Sequence, residues 1–170
     1  NAIAGIISPS SGSITFRSEE IAGFPAHHVV KRGIVQVPEG RQLFSALSVR
    51  ENLKFWASIH GSETEKDSIV FALETFKLEK LANLPARLLS AGQARRLNLA
   101  RLNATPAPLW ILDEPHNSLD EGASSSLDEN VAMHLDKGGM VVMATHEPIS
   151  KMVKALDLSD FALDHNKLEN

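Results

Sequence analysis

The chain has 170 residues, of which 43% are hydrophobic and 22% charged, a composition typical of one globular domain rather than a disordered chain. Its formal net charge of −4 excludes the basic balance of nucleic-acid-binding proteins, and its lack of cysteine excludes disulfides and thiolate metal sites. No apolar run approaches the roughly 18 residues that a membrane-spanning helix needs, so any link to a membrane requires a partner protein.

The first third of the chain contains two predicted strands. Residues 1–7 are expected to be the end of an amphipathic helix, and the Ser, Pro and Gly cluster at 8–12 predicts a turn. Alternating residues at 13–16 predict a short strand, and the apolar stretch 33–38 predicts a second one that its proline closes. None of the seven histidines has metal-site spacing with another ligand.

Two stretches in the middle of the chain have the form of a capping box, in which a Ser and an acid or amide three residues later begin a helix. Ser48 and Glu51 form the first, and apolar residues recur behind them at helical spacing; another helix is expected over about 65–76. Ser90 and Gln93 form the second, which would begin a helix even without a function.

A run of four apolar residues, 109–112, leads directly into Asp113 and Glu114. Such a run between prolines predicts a buried strand of a parallel sheet, with the acids at the carboxyl end where open α/β sheets bind ligands. Adjacent residues on an extended chain point to opposite sides, so one carboxylate can hold a metal ion while the other orients or deprotonates water. An acid pair after a strand is also often only a solvated turn, and this stretch alone leaves both interpretations open.

The last part of the chain repeats this arrangement. A helix is expected over 121–136, the Gly pair at 138–139 predicts a turn, and 140–144 predicts an apolar strand that ends close to His146. A further helix is expected after Pro148, and residues 161–163 have a weak strand pattern.

Four of these motifs occur in an order and spacing that resemble the ATP-binding cassette (ABC) ATPases. Leu89 and the second capping box resemble the signature Leu-Ser-Gly-Gly-Gln, and the acid pair 20 residues further on resembles the Walker B motif. Residues 117–120 resemble the D-loop, and His146 resembles the switch histidine. The resemblance implies an α/β, P-loop NTPase-like core with a mainly parallel sheet. It implies one domain over 1–170, with a helical subdomain at about 45–104 and without the domain's N-terminal part.

The resemblance also assigns roles around one nucleotide. It implies that Asp113 holds Mg²⁺, that Glu114 polarises the attacking water and that His146 contacts the γ-phosphate of ATP. Asp120 would order a dimer interface, and Glu39 takes the place of the Q-loop glutamine and could still ligate Mg²⁺.

The signature stretch would contact the γ-phosphate of the ATP that a second copy of the chain holds. Its residues are Ser90, Ala91, Gly92 and Gln93, with Ala91 standing where the family has glycine. A helix start presents free N–H groups and a positive dipole end to phosphate, and Gly92 lets the backbone approach it closely.

The Walker A pattern Gly-x-x-x-x-Gly-Lys-Ser/Thr does not occur in these 170 residues. Because the stretch 1–16 resembles the family's segment immediately after that loop, we expect the loop just upstream of Asn1. The loop's N–H groups and lysine cradle the phosphates, so we expect this chain by itself to bind ATP poorly.

Different stretches resemble different relatives within the family. Residues from about 51 onward resemble the ATPase subunit of the cytochrome c maturation haem exporter, while 33–52 resemble the ATPases of branched-chain amino acid importers. The longer match favours haem export. It implies a second ATPase subunit and an integral membrane transporter subunit as partners, at the cytoplasmic face of the inner membrane. The aromatics Phe44, Phe55 and Trp56 are candidate docking residues for that membrane subunit.

Two alternatives remain at this point besides the importer. A degenerate, non-catalytic interaction module is favoured by the missing Walker A pattern, but the acid pair and His146 are intact. A chromosome-maintenance type of ABC protein would need a long coiled-coil insertion before the signature, and residues 1–90 are too few for one.

Overall fold

The computed structural model describes residues 1–39, 43–59, 65–105, 107–146 and 154–158. The strands are β1 (Thr15–Phe16), β2 (Glu19–Glu20), β3 (Ile34–Val37), β4 (Leu109–Asp113) and β5 (Met140–Ala144). The α-helices are α1 (Ala26–Lys31), α2 (Val49–Ile59), α3 (Glu65–Thr75), α4 (Ala91–Ala104) and α5 (Glu121–Asp136), and short 3₁₀ turns cover Glu79–Leu81 and Ala86–Leu88.

A parallel three-stranded sheet with the order β3-β4-β5 positions the acid pair. Strand β4 lies in the middle, and its residues 109–112 are all buried, as the unbroken apolar run predicted. Val37 is in register with Leu112, and Asp113 with Ala144, so the carboxyl ends of all three strands meet at one edge. The predicted α/β core with a parallel sheet is confirmed.

Helices α2 and α3 pack against α4 beside this sheet. Their shared core contains Leu53, Leu73, Phe76 and Leu97, and it is continuous with the buried Leu112 of β4. Both capping boxes form as predicted, at the starts of α2 and α4. The helical subdomain at about 45–104 stays a prediction, and the structure places α2, α3, the 3₁₀ turns and α4 in that stretch.

The first part of the chain agrees with the prediction in one feature and differs in two. Residues 1–7 have the hydrogen bonds of a helix C-terminus, as expected: Gly5 N donates to Ala2 O, Ile6 N donates to Asn1 O, and Gly5 at φ +70° ends the helical turn. The strand expected over 13–16 is shorter and covers Thr15–Phe16, after which Arg17 and Ser18, both at positive φ, turn the chain back into β2. Helix α1 was not predicted. The helix expected after Pro148 and the strand pattern at 161–163 fall outside the described residues.

Candidate functional site

The acid pair lies at the carboxyl edge of the sheet, between the ends of β3 and β5. Asp113 is the last residue of β4 and is partly exposed there. Glu114 comes next at φ +43°, a left-handed backbone conformation that is uncommon for residues other than glycine. Its amide donates to Ala144 O at 2.9 Å, which attaches the turn after β4 to the end of β5.

The side chain of Glu114 contacts the predicted switch histidine. Glu114 Oε1 lies 2.9 Å from His146 Nδ1, and the two residues come from the ends of neighbouring strands. The glutamate side chain is 22% exposed and the histidine 74% exposed. The contact therefore orients a partly buried carboxylate, while most of the imidazole surface stays accessible to a ligand at the sheet edge.

Arg95, in the second turn of α4, forms hydrogen bonds to the main chain at the ends of both β3 and β4. Its Nη1 donates to Pro38 O at 2.9 Å and Glu39 O at 3.3 Å, and its Nη2 donates to Asp113 O at 3.1 Å and Glu114 O at 2.6 Å. The residue is 4% exposed. Burial lowers the pKa of this guanidinium, and the carboxylates of Glu39 and Asp113 oppose that shift.

The start of α4 presents free donors beside this site. Ser90 Oγ accepts from Gln93 N at 3.2 Å and Gln93 Oε1 accepts from Ser90 N at 2.9 Å, which completes the capping box. Within the described residues, the N–H groups of Ala91 and Gly92 donate to no protein acceptor. N–H groups at the positive end of a helix attract anions such as phosphate, and α4 has 14 residues. The contact of these residues with the γ-phosphate stays a prediction.

The predicted D-loop residues lie between the acid pair and the start of α4. A Cβ added at Gly92 would lie 3.4 Å from Ser118 O, an ordinary van der Waals distance, so the two segments are direct neighbours. Asp120 is exposed, and its Oδ1 accepts from Ala123 N at 2.8 Å, so that it caps α5. Its role at a dimer interface stays a prediction.

Two neighbours of the acid pair make contacts that the sequence did not predict. Asn117 Nδ2 donates to Glu39 Oε1 at 3.4 Å, which brings the Q-loop position to the D-loop. His116 Nε2 lies 2.9 Å from Asp128 Oδ1 on α5, which ties the turn after Glu114 to that helix. Gly40 and Arg41, which continue the Q-loop resemblance, are outside the described residues.

The donor set fits a magnesium ion carried by a nucleotide. In the described part of the chain, no three His, Asp or Glu side chains converge on a common metal position. Mg²⁺ bound with substrate phosphates needs only one or two protein carboxylates and keeps several waters. Asp113, partly exposed at the sheet edge beside the start of α4, offers such a carboxylate.

The predicted docking aromatics form one surface cluster on the helical side. The ring centroids of Phe44 and Phe55 are 4.4 Å apart, those of Phe44 and Trp56 are 6.1 Å apart, and the guanidinium of Arg101 lies 4.2 Å from the Trp56 centroid. Phe44 is 42% and Phe55 39% exposed. Their docking role stays a prediction. Among the described residues, no helix has the length and apolar content required to cross a bilayer.

Residues 1–117 match the family model described as ABC transporter. The cytochrome c biogenesis ATP-binding export protein CcmA of Paramagnetospirillum magneticum is 39% identical over 164 residues, covering 95% of this chain and 75% of that protein. CcmA of Rhodospirillum rubrum is 40% identical over 167 residues, covering 97% of this chain and 70% of that protein.

Solved structures show the same fold. An ATP-binding subunit of an ABC transporter superposes with a TM-score of 0.74 at 26% identity, covering 85% of this chain and 60% of that chain. A putative ABC transporter ATP-binding protein from Pyrococcus furiosus superposes with a TM-score of 0.71 at 28% identity, covering 88% of this chain and 72% of that chain. The present chain thus spans less than two thirds of the first of these structures. With the family model, the CcmA relatives and the shared fold in agreement, the chain belongs to the ATP-binding subunits of the ABC transporter family.

Proposed function

We propose that this chain is part of the ATP-hydrolysing subunit of an exporter that serves cytochrome c biogenesis, with haem as the exported group. The CcmA relatives are named as export proteins of that process and match over almost all of the chain. None of the relatives described above supports amino acid import. The observation that carries hydrolysis rather than a non-catalytic module is the 2.9 Å contact between Glu114 and His146 at the sheet edge.

Each residue of the site has a definable task in hydrolysis. Glu114 accepts a hydrogen bond from the attacking water and draws its proton away as the oxygen approaches the γ-phosphorus. His146 holds that carboxylate in place and presents its exposed ring to the γ-phosphate. Asp113 would hold Mg²⁺, which neutralises charge on the phosphate oxygens when it is bound.

A second copy of the chain would complete the site. Ser90 and Ala91 are exposed, so the donors at the start of α4 are accessible to a nucleotide held by another subunit. The N–H groups of Ala91 and Gly92 would stabilise the charge that develops on the γ-phosphate oxygens. We infer that the working unit is a dimer of this ATPase bound to an integral membrane subunit at the cytoplasmic face of the inner membrane. The aromatic cluster at Phe44 and Phe55 is the proposed contact with that subunit.

The variant Glu114→Gln in the full-length ATPase tests the proposal. Since the amide cannot accept the water proton, the kcat for ATP hydrolysis should fall by roughly 10²–10⁴-fold, while Mg-ATP binding should remain. The matched control is Glu129→Gln, the same chemical change at an exposed position of α5, which should keep turnover within about twofold of the wild type. Normal phosphate release by the Glu114→Gln dimer would exclude Glu114 as the general base.

A further inference from the structure

Arg95 is a buried cation that contacts the acid pair, and the tasks proposed above do not use it. An arginine that is 4% exposed requires strong compensation for its lost hydration. Here the acceptors within hydrogen-bond distance are main-chain carbonyls, those of Pro38, Glu39, Asp113 and Glu114. These carbonyls lie at or directly after the ends of the adjacent strands β3 and β4. Without the guanidinium, they would lose the donors that link the two strand ends.

The fork shape of the guanidinium matches this arrangement. One terminal nitrogen, Nη1, serves the end of β3, and the other, Nη2, serves the end of β4. A lysine ammonium carries its three donors on one atom, so it cannot serve both strand ends with the same geometry. The shortest of the four contacts, 2.6 Å, is the one to the carbonyl of Glu114.

The Glu114 peptide groups are therefore held from both sides. Arg95 binds its carbonyl, and its amide donates to Ala144 O at 2.9 Å, while φ stays at +43°. A left-handed conformation at a glutamate persists only when the surroundings determine it. The direction in which the Glu114 side chain leaves the backbone, and with it the contact to His146, depends on these two hydrogen bonds.

We propose that Arg95 is a positioning residue for ATP hydrolysis: it fixes the backbone of Glu114 so that the carboxylate meets the attacking water. The inference rests on the proposed role of Glu114 as the general base. Arg95 itself touches no reacting atom. Because it sits on α4 five residues after Ser90, it also makes the helix start and the general base of one subunit parts of the same rigid unit.

The test compares Arg95→Lys and Arg95→Met in the full-length ATPase with Mg-ATP. Arg95→Lys keeps the charge but not the fork, so kcat should fall by about tenfold or more, since small misplacements of catalytic groups are costly. The KM for ATP should stay within about twofold, because a positioning defect in the general base leaves nucleotide binding intact. Arg95→Met should reduce kcat further.

The matched control is Arg96→Lys on the same helix. Arg96 Nη1 makes one long contact, 3.5 Å, to Phe76 O, away from the acid pair, so its kcat should stay within about twofold of the wild type. Thermal melting followed by circular dichroism monitors the fold of every variant. A folded Arg95→Lys protein with wild-type kcat overturns the inference. So does a parallel loss of kcat, ATP affinity and folded protein, which assigns Arg95 a purely structural role.

Glu114→Gln measured alongside separates the two proposals. If Glu114→Gln is inactive and Arg95→Lys turns over normally, the positioning role fails and the proposed function stands. If Glu114→Gln hydrolyses ATP normally, Glu114 is not the general base, and the positioning role of Arg95 fails with it. If the wild-type full-length protein does not hydrolyse Mg-ATP, the proposed function fails.

Discussion

The starts of α2 and α4 are the same local structure put to different uses. At α2, Ser48 Oγ accepts from Glu51 N at 3.2 Å and Glu51 Oε2 accepts from Ser48 N at 2.7 Å. At α4, the corresponding distances for Ser90 and Gln93 are 3.2 and 2.9 Å. In both cases the cap satisfies two of the backbone donors that every helix start leaves free.

The next two donors distinguish the two helices. At α2, Val49 N donates to Leu84 O at 3.0 Å and Arg50 N donates to Ala82 O at 2.9 Å, so neighbouring chain occupies the helix start. At α4, the equivalent N–H groups of Ala91 and Gly92 have no acceptor among the described residues. A capping box thus determines where a helix begins, and the packing around it determines whether that helix can bind an anion.

The largest effect is expected from a negative charge at the second position of each helix. Gly92→Asp adds a negative charge beside the N–H groups that would meet the γ-phosphate, so ATP turnover should fall by about 100-fold or more. Arg50→Asp introduces a carboxylate at the same position of α2 and also removes a positive charge, but the N–H groups there are already used, so turnover should stay within about twofold. Steady-state ATPase assays measure the turnover of both variants. An equal loss of turnover in the two would contradict the proposed difference between the starts of α2 and α4.

Removing each cap hydroxyl should separate stability from activity. Ser48→Ala and Ser90→Ala should each lower the free energy of unfolding by about 1 kcal/mol, since both leave a helix-start N–H without its acceptor. Only Ser90→Ala should also reduce turnover, by about tenfold, because it loosens the donors that face the nucleotide. Denaturant unfolding and ATPase assays on the same preparations give both quantities. Equal turnover in the two variants would contradict the assignment of α4 as the phosphate-facing helix.

The smallest expected effect is on stability at low pH, because only the capping box of α2 contains a titratable side chain. Hydrogen bonds from the Ser48 hydroxyl, and then from its backbone N–H, lower the pKa of Glu51 from 4.5, whereas Gln93 carries no charge. A lowered carboxyl pKa gives stability that is present above the unfolded-state value and is lost as the pH falls through the folded-state value. The stability advantage of the wild type over Glu51→Gln should therefore shrink below about pH 4.5. Unfolding titrations between pH 3 and 7 measure it, and a constant difference would refute the linkage.

Local patterns were sufficient for most of the fold near the site. The apolar run before Asp113 predicted a buried central strand, and the two Ser-x-x-acid or amide patterns predicted two helix starts, because these features depend on neighbours within a few residues. The contact between Glu114 and His146 was expected only as a convergence around one nucleotide, inferred from the resemblance and from motif order. The roles assigned to the site residues remain predictions that the variants above test.

Arg95 could not be predicted in the same way. A charged residue near the start of a helix ordinarily predicts a solvent-exposed face, and its acceptors at Pro38 and Glu39 lie 57 and 56 residues away in sequence. One signal was available. Arg95 continues a stripe that includes Asn98 and Arg101, both also buried, on the face of α4 towards the sheet. The positive φ of Glu114 left no trace in the sequence, since glutamate is not a residue that favours it.

At Glu114 the residue that would give the highest stability differs from the residue that the proposed hydrolysis needs. At φ +43° a glycine is less strained than any residue with a side chain. Selection for heat resistance alone would favour the loss of glutamate here, whereas the proposed role of Glu114 in hydrolysis would retain it. Related proteins that keep a glutamate in this conformation and are more heat-resistant should therefore owe their higher stability to substitutions away from the turn after β4.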